Sequence, residues 1–376
     1  MSISSARRKI LFVTGTRADF GKLQPLAVGA NAAGHRVSFF VTGMHMLPEY
    51  GLTKLEVHRL DGIQVAEFIN QRTADPQDVA FAKTVTAFSD YLKIEAPDLV
   101  VIHGDRVEAM AAALVCATNY VRCAHIEGGE VSGTIDEVFR HCNTKLATCH
   151  LVSSEEAKLR ILGMGESPGR VYVIGSPELD LHKADSGVSI QEVRTRYEIP
   201  FDEYGIVIFH AVTSEQSSIE TQARALFKTL DASARPYVVI QPNNDPGSDR
   251  ILELIKTLNN EKFRVLPSMR FSHFSELIKN AAIIIGNSSA GVREAPFLGI
   301  PSIDVGTRQT NRSSSPSITK LKAEDSALML ETINHRWRER FPPDTVFGKG
   351  NSVKNFLQVL ETKEFWQLPL QKIFSE

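Results

Sequence analysis

Two short apolar runs, each leading to an acid, constrain the fold of this chain more than any other feature. Leu99-Val100-Val101-Ile102 runs through His103 and Gly104 to Asp105, and Cys123-Ala124-His125-Ile126 runs directly into Glu127. Runs this short, without polar alternation, suit strands buried on both faces of a parallel sheet. Both acids then stand at the carboxyl ends of strands, the edge at which open α/β sheets bind ligands. A third acid, Asp136, follows the Gly133-Thr134 turn and is expected to cap or open the next helix. Carboxylates gathered in one crevice can hold different pKa values and divide acid and base duties.

The alternation of strand and helix extends through the first half of the chain. Residues 9–13, 36–42, 99–103, 122–126, 150–153 and 171–174 read as strands. Between them lies a turn at 15–21 into a helix with Leu23, Leu26 and Ala27 at helical spacing. A stripe of Phe81, Val85, Phe88 and Leu92 and the alanine-rich stretch 106–120 read as further helices, and others start near Asp136 and Ser154. After a linker at 183–187 the pattern restarts, with strands at 205–209, 237–240, 263–266, 283–285 and 302–305. Such alternation predicts an α/β protein of two Rossmann-like domains with right-handed crossovers, facing a cleft. The 376 residues divide accordingly into 1–182, carrying the acids, 183–350, and helices at 351–376 whose crossing back to the first domain periodicity leaves open.

Composition narrows the partners. A formal net charge of −2 gives no electrostatic case for nucleic acid or an anionic membrane. No apolar run approaches the ~18 residues of a membrane span. The first residues lack the long apolar core and cleavage site of a signal peptide, so the expected location is the cytosol. Cys116, Cys123, Cys142 and Cys149 fit no zinc spacing despite His125 and His150 nearby, and read as free thiols in apolar elements. No metal is expected.

Residues 286–291, Gly-Asn-Ser-Ser-Ala-Gly, form a small-residue turn between a strand and a helix. There the backbone can approach a phosphate, and Ser288 and Ser289 add hydroxyls. Glu294, one turn on, could accept from ribose hydroxyls. An ordinary serine-capped helix would read the same way. The turn is neither G-x-G-x-x-G nor a P-loop, which disfavours NAD and ATP. The loop 15–21 is similar, with Arg17 as a candidate diphosphate partner. Arg106 follows Asp105, and Arg140 stands one turn after Asp136. Each places a cation beside an acid, as a salt bridge or as a stabiliser of a leaving group. His210 ends the strand 205–209 at the ligand edge, whereas His125 lies within a strand as a core residue. Arg308, in the basic loop 306–312, could pair with a phosphate. Ser313 to Pro316 read as a flexible loop.

Together these segments resemble one family. T-G-T-R-A-D-F-G, V-T-G-M-H-M, I-H-G-D-R-V-E-A, H-I-E-G-G-E-V-S-G-T-I-D-E, I-G-S-P-E-L-D, G-N-S-S-A-G-V-R-E-A-P and D-V-G-T-R-Q-T-N-R are similar to the hydrolysing UDP-N-acetylglucosamine 2-epimerases of bacterial sialic-acid pathways, from about residue 9 to about residue 350. The resemblance implies a glycosyltransferase-B-like fold of two domains closing over a UDP-sugar, without metal or redox cofactor, as a homodimer or homotetramer. It implies conversion of UDP-N-acetylglucosamine and water to N-acetylmannosamine and UDP, by elimination of UDP to 2-acetamidoglucal and then hydration. Asp105, Glu127 and Asp136 match the catalytic acids: Glu127 and Asp136 for proton transfer, Asp105 in support. Arg106, Arg140 and His210 match positions that assist UDP departure or orient the acids. Arg17, Asn243, Arg270, Ser288, Ser289, Gly291, Glu294 and Arg308 make up the UDP-binding set. Relatives acting on UDP-N,N′-diacetylbacillosamine share the acids and remain an alternative. So do a non-hydrolysing epimerase, a glycosyltransferase of the same fold, which would not need three clustered acids, and a UDP-sugar-binding regulator.

Overall fold

The computed structural model describes residues 7–373 apart from 73–74, 133–134, 244–245 and 268. The chain divides into two compact units. One comprises Met1–Glu130, Asp136–Asp180 and Val346–Glu376; the other comprises Val131–Ile135 and Leu181–Thr345. Among the described residues no helix is long and apolar enough to cross a membrane.

The first unit is built on seven strands: β1 (Lys9–Thr14), β2 (Arg36–Val41), β3 (Gln64–Glu67), β4 (Leu99–His103), β5 (Cys123–Ile126), β6 (Cys149–Val152) and β7 (Val171–Val173). Their order is β3-β2-β1-β4-β5-β6-β7. Every pairing is parallel. The apolar runs are continuous because both faces of the sheet are covered. Leu99 and Val101 of β4 pack on one face with Phe12 and Phe39, while Val100 and Ile102 pack on the other with Phe88 and Ala112. The chain's last helices belong to the first of these clusters. Phe356, Leu360 and Phe365 are buried in it, with the Phe356 and Phe12 rings 6.4 Å apart. Asp180 fixes the start of the helix Ser352–Glu361. Its carboxylate accepts from the Ser352 amide at 2.8 Å, the Ser352 hydroxyl at 2.9 Å and the Val353 amide at 2.9 Å. An acid is favoured at a helix N-terminus because it meets unpaired amides there.

The second unit holds β8 (Gly205–Ile208), β9 (Tyr237–Ile240), β10 (Phe263–Leu266), β11 (Ile284–Gly286), β12 (Ser302–Val305) and β13 (Ile318–Leu321), in the order β10-β9-β8-β11-β12-β13. These pairings are also parallel. Each sheet therefore reverses direction once, between β1 and β4 and between β8 and β11. Such a switch point leaves a crevice beyond the strand ends, where ligands of this fold class bind. Gly286 lets β11 lie against β8 at the second switch point. It has φ +135°, and a Cβ there would lie 2.0 Å from the Ile208 carbonyl oxygen.

Some elements depart from the sequence reading. β3 and β13 were not expected: as edge strands they pair on one side only and carry no continuous apolar run. In the helix Gln77–Glu95 the buried residues are Ala80, Thr84, Phe88 and Leu92, so the buried stripe passes through small residues rather than Phe81 and Val85. Lys183 closes the helix Glu178–Lys183, so the expected linker begins a residue later. All four cysteines are free thiols, and Cys116, Cys123 and Cys149 are buried.

Candidate functional site

In the first unit two of the three acids, Asp105 and Glu127, lie where β4 and β5 end. Glu127 follows the last residue of β5 and is 2% exposed. Its φ of 62° is in the left-handed region, which costs a side-chain-bearing residue about 1–3 kcal/mol and persists where the surroundings over-determine it. Those surroundings are specific. The Lys22 ammonium, from the helix Arg17–Ala32, donates to Oε1 at 2.7 Å. The Ser176 hydroxyl reaches the same oxygen at 3.2 Å, and His103 Nε2 lies 3.2 Å from Oε2. Lys22 is also 3.6 Å from Glu178. The glycines after Glu127 let the chain fold back. Gly129 has φ +75°, and a Cβ on it would meet the Ala157 carbonyl oxygen at 2.2 Å.

Asp105 follows Gly104 at the end of β4, and its carboxylate is paired with the Arg140 guanidinium. Arg140, 3% exposed, also donates to the Glu130 carbonyl at 3.2 Å. Asp136 is the first residue of the helix Asp136–Leu146; the Gly133-Thr134 turn expected before it lies outside the described residues. Positions four apart share a helix face, so Asp136 and Arg140 stand one turn from each other. The face that carries Asp136 is thereby the one anchored to Asp105. Arg140 crosses to the acid just beyond β4, a pairing that adjacency in sequence does not suggest. Arg106 precedes the helix Val107–Thr118, with Nε 3.9 Å from the buried Glu108 and Nη2 3.7 Å from Met44 Sδ. His125 is a core residue as expected. Its Nε2 lies 2.8 Å from the Gly104 carbonyl, and burial pulls its pKa down to about 3.

Arg17 starts the first helix and pairs with Glu56 at 2.5 Å. Behind it Asp19 ties the loop together. The Asp19 carboxylate accepts from the Thr14 hydroxyl at 2.6 Å and from the Gly15 and Thr16 amides at 3.0 Å each.

In the second unit His210 lies just beyond β8. Asn287 holds its backbone from both sides: the His210 amide donates to Asn287 Oδ1 at 2.7 Å, and Asn287 Nδ2 donates to the His210 carbonyl at 2.9 Å. The Asn243 amide donates to Nδ1 at 3.1 Å. Burial, reinforced by the Arg308 charge, lowers the His210 pKa to about 3. The ring is therefore neutral near pH 7, its proton on Nε2 because Nδ1 accepts. Arg308 Nη1 donates to the Asn287 carbonyl at 3.3 Å, which ties the loop after β12 to the loop after β11. Ser288 caps the short helix Ser289–Val292, accepting from the Ala290 amide, and the Ser302 hydroxyl donates to the Gly291 carbonyl at 2.6 Å. Glu294 is 8% exposed and bonds His182. His210, Asn243, Asn287, Ser288 and Arg308 are thus linked at the β8/β11 switch point. Arg270 is not among them: it precedes the helix Phe271–Lys279 beyond the edge strand β10, and its amide donates to the Tyr197 hydroxyl at 3.4 Å. The loop after β9 continues into Asn244 and Asp245, outside the described residues.

Sequence reasoning missed Lys22, Ser176, His103 and Asn287. Lys22 reads as one more solvated helix lysine until the fold brings it to Glu127. Asn287 was visible in the Gly-Asn-Ser-Ser turn, but its role appears only when β8 and β11 are neighbours.

Two parallel Rossmann-like sheets, each with one switch point in its strand order, define a protein of glycosyltransferase-B-like fold. The chain belongs to the UDP-N-acetylglucosamine 2-epimerase family, whose sequence pattern matches residues 30–361. It is 41% identical over 373 residues to the UDP-N-acetylglucosamine 2-epimerase of Neisseria meningitidis serogroup B, covering 98% of this chain and 99% of that one. It is 29% identical to the hydrolysing UDP-N,N′-diacetylbacillosamine 2-epimerase of Legionella pneumophila, covering 94% of this chain and 96% of that one. Its fold matches a crystal structure of UDP-GlcNAc 2-epimerase from Neisseria meningitidis bound to UDP-GlcNAc, with a TM-score of 0.80 at 18% identity, covering 94% of this chain and 99% of that one.

Proposed function

We propose that this protein is a hydrolysing UDP-N-acetylglucosamine 2-epimerase that supplies N-acetylmannosamine for sialic acid synthesis in the cytoplasm. The observation that carries the proposal is Glu127, a buried carboxylate in left-handed backbone at a strand end, gripped by Lys22 and Ser176. Removing a weakly acidic C–H proton needs a positioned base, and such a base must keep its geometry through the reaction. In the first step a carboxylate takes the C2 proton and the C1–O bond breaks, so UDP leaves and 2-acetamidoglucal remains. In the second, water adds its oxygen to C1 and a proton reaches C2 from the opposite face, giving N-acetylmannosamine. Glu127 and Asp136 are the proton-transfer pair. Asp105 acts through Arg140, which it fixes one turn from Asp136. Arg106 adds positive charge beside the acids. His210, being neutral, serves as an Nε2–H donor to a phosphate oxygen rather than as a cation.

The nucleotide belongs to the second unit's loops. Ser288, Ser289 and Gly291 offer hydroxyls and close backbone approach, Arg308 and the Asn243 loop frame His210, and Glu294 receives the ribose hydroxyls. Arg17 and Arg270 are retained as peripheral contributors to UDP binding. A homodimer or homotetramer is proposed from family likeness alone. The likeness to the Legionella enzyme supports a second reading, with UDP-N,N′-diacetylbacillosamine as substrate. Purified protein offered each nucleotide sugar separately decides: free N-acetylmannosamine and UDP from UDP-GlcNAc support the first reading. Turnover of the bacillosamine derivative alone moves the assignment to the second. UDP-N-acetylmannosamine as the stable product refutes hydrolysis.

A further inference from the structure

His182 is a buried histidine that the chemistry above does not use. It lies on the helix Glu178–Lys183, with its side chain fully buried. Its Nε2 is 2.6 Å from Glu294 Oε2 and its Nδ1 is 2.9 Å from the Ser275 hydroxyl. The Phe271 ring packs on it, with centroids 5.0 Å apart. Three separate segments of the second unit therefore meet here: the one just after Leu181, the helix Phe271–Lys279 through Phe271 and Ser275, and Glu294 beyond β11.

The terminal torsion of a glutamate is broad and roughly two-fold, so an unsupported carboxylate turns freely about its last bond. A vicinal diol needs the opposite: two acceptor positions in a fixed plane. The carboxylate can only accept, so the hydrogen of this bond sits on His182 Nε2, and the donor fixes one oxygen. Oε1 is left to accept, with 11% of the side chain open. Ser275 and Phe271 in turn hold the imidazole plane. This arrangement resembles the way an outer partner orients a functional carboxylate or imidazole elsewhere, where loss of that partner weakens the site without removing it.

We propose that His182 is a positioning residue that locks the Glu294 carboxylate in the plane that receives a ribose diol, and so gives this chain its preference for ribonucleotide sugars. The inference rests on the assignment of Glu294 to the ribose. Its substrate class is a nucleoside diphosphate with both the 2′ and 3′ hydroxyls.

Calorimetric titration of the full chain with UDP, 2′-deoxy-UDP and 3′-deoxy-UDP tests it. The wild type should bind UDP at least about tenfold more tightly than either deoxy form, the scale of a hydrogen bond to a charged group. His182→Phe should bring that ratio within about threefold, chiefly by weakening UDP. His182→Gln, which can still donate to Glu294, should restore part of it. Ser275→Ala leaves the pair intact but frees the imidazole, and should lower the ratio by a smaller factor, which keeps the test open if the Phe variant does not fold. A folded Phe variant that keeps the wild-type ratio, or a Ser275→Ala ratio unchanged where only that variant folds, overturns the role of His182. A wild type that does not distinguish the three ligands overturns the ribose assignment of Glu294 itself, and the inference falls with it.

Discussion

The Lys22 ammonium and the Glu127 carboxylate are 2.7 Å apart, joining the first helix to the end of β5 across 105 residues of sequence. Because Glu127 is buried and held in left-handed backbone, this contact fixes the orientation of the carboxylate proposed as the base. Lys22→Met should lower kcat by about 10²- to 10⁴-fold, the range in which a positioned acid or base contributes. KM should change far less. An unchanged kcat would remove Lys22 from the site.

Glu127→Gln keeps the shape of the side chain and removes its basicity. Turnover should be lost, while UDP binding by calorimetry stays within a few-fold, because the nucleotide is assigned to the second unit. Surviving turnover would show that another group takes the proton.

Gly286 tests the fold's switch point. Gly286→Ala sets a Cβ 2.0 Å from the Ile208 carbonyl at a φ of +135°. Backbone strain and displacement of β8 together should cost more than ~3 kcal/mol. Chemical denaturation should show the loss, and a variant of wild-type stability would contradict the β8/β11 geometry.

His210 and His125 are both pulled to about 3, chiefly by burial. Their folded pKa lies below the unfolded value of about 6.5. Each therefore supports the fold fully above that value and loses its contribution as pH falls towards 3. The thermal midpoint should drop through this window, and more gently in His210→Gln. An identical pH dependence in the variant would mean that His210 is not held neutral.

Asp304 on β12 behaves oppositely: burial raises its pKa from 3.8 to about 6. A raised carboxyl supports the fold below its unfolded pKa, and that support is lost as pH rises through about 6. Asp304→Asn should be stabilising by about 1–3 kcal/mol at pH 8, and the gain should vanish near pH 4. Equal stability at both pH values would show that the buried charge is fully compensated by Lys320, Arg308 and Arg312.

Much of the architecture was legible because both sheets are parallel and covered. Val100 and Val101 face opposite cores, so their strand reads as an unbroken apolar run, and an acid just beyond it is conspicuous. Edge strands lose that signal, which is why Gln64–Glu67 and Ile318–Leu321 escaped notice. Acids at strand ends could be named from sequence, but their partners could not. Arg140 follows Asp136 in the chain and pairs with Asp105, because a helix face rather than adjacency decides its direction. His182 gave no signal at all, since its meaning depends on Ser275 and Glu294 converging from distant segments.

Two carboxylates, the buried Glu127 and the half-buried Asp136, are proposed to exchange the C2 proton during elimination and hydration. An NMR time course with UDP-GlcNAc in D₂O tests it directly. The account predicts release of UDP and free N-acetylmannosamine carrying deuterium at C2, and neither product from Glu127→Gln. Free sugar that keeps its original hydrogen at C2 would contradict it.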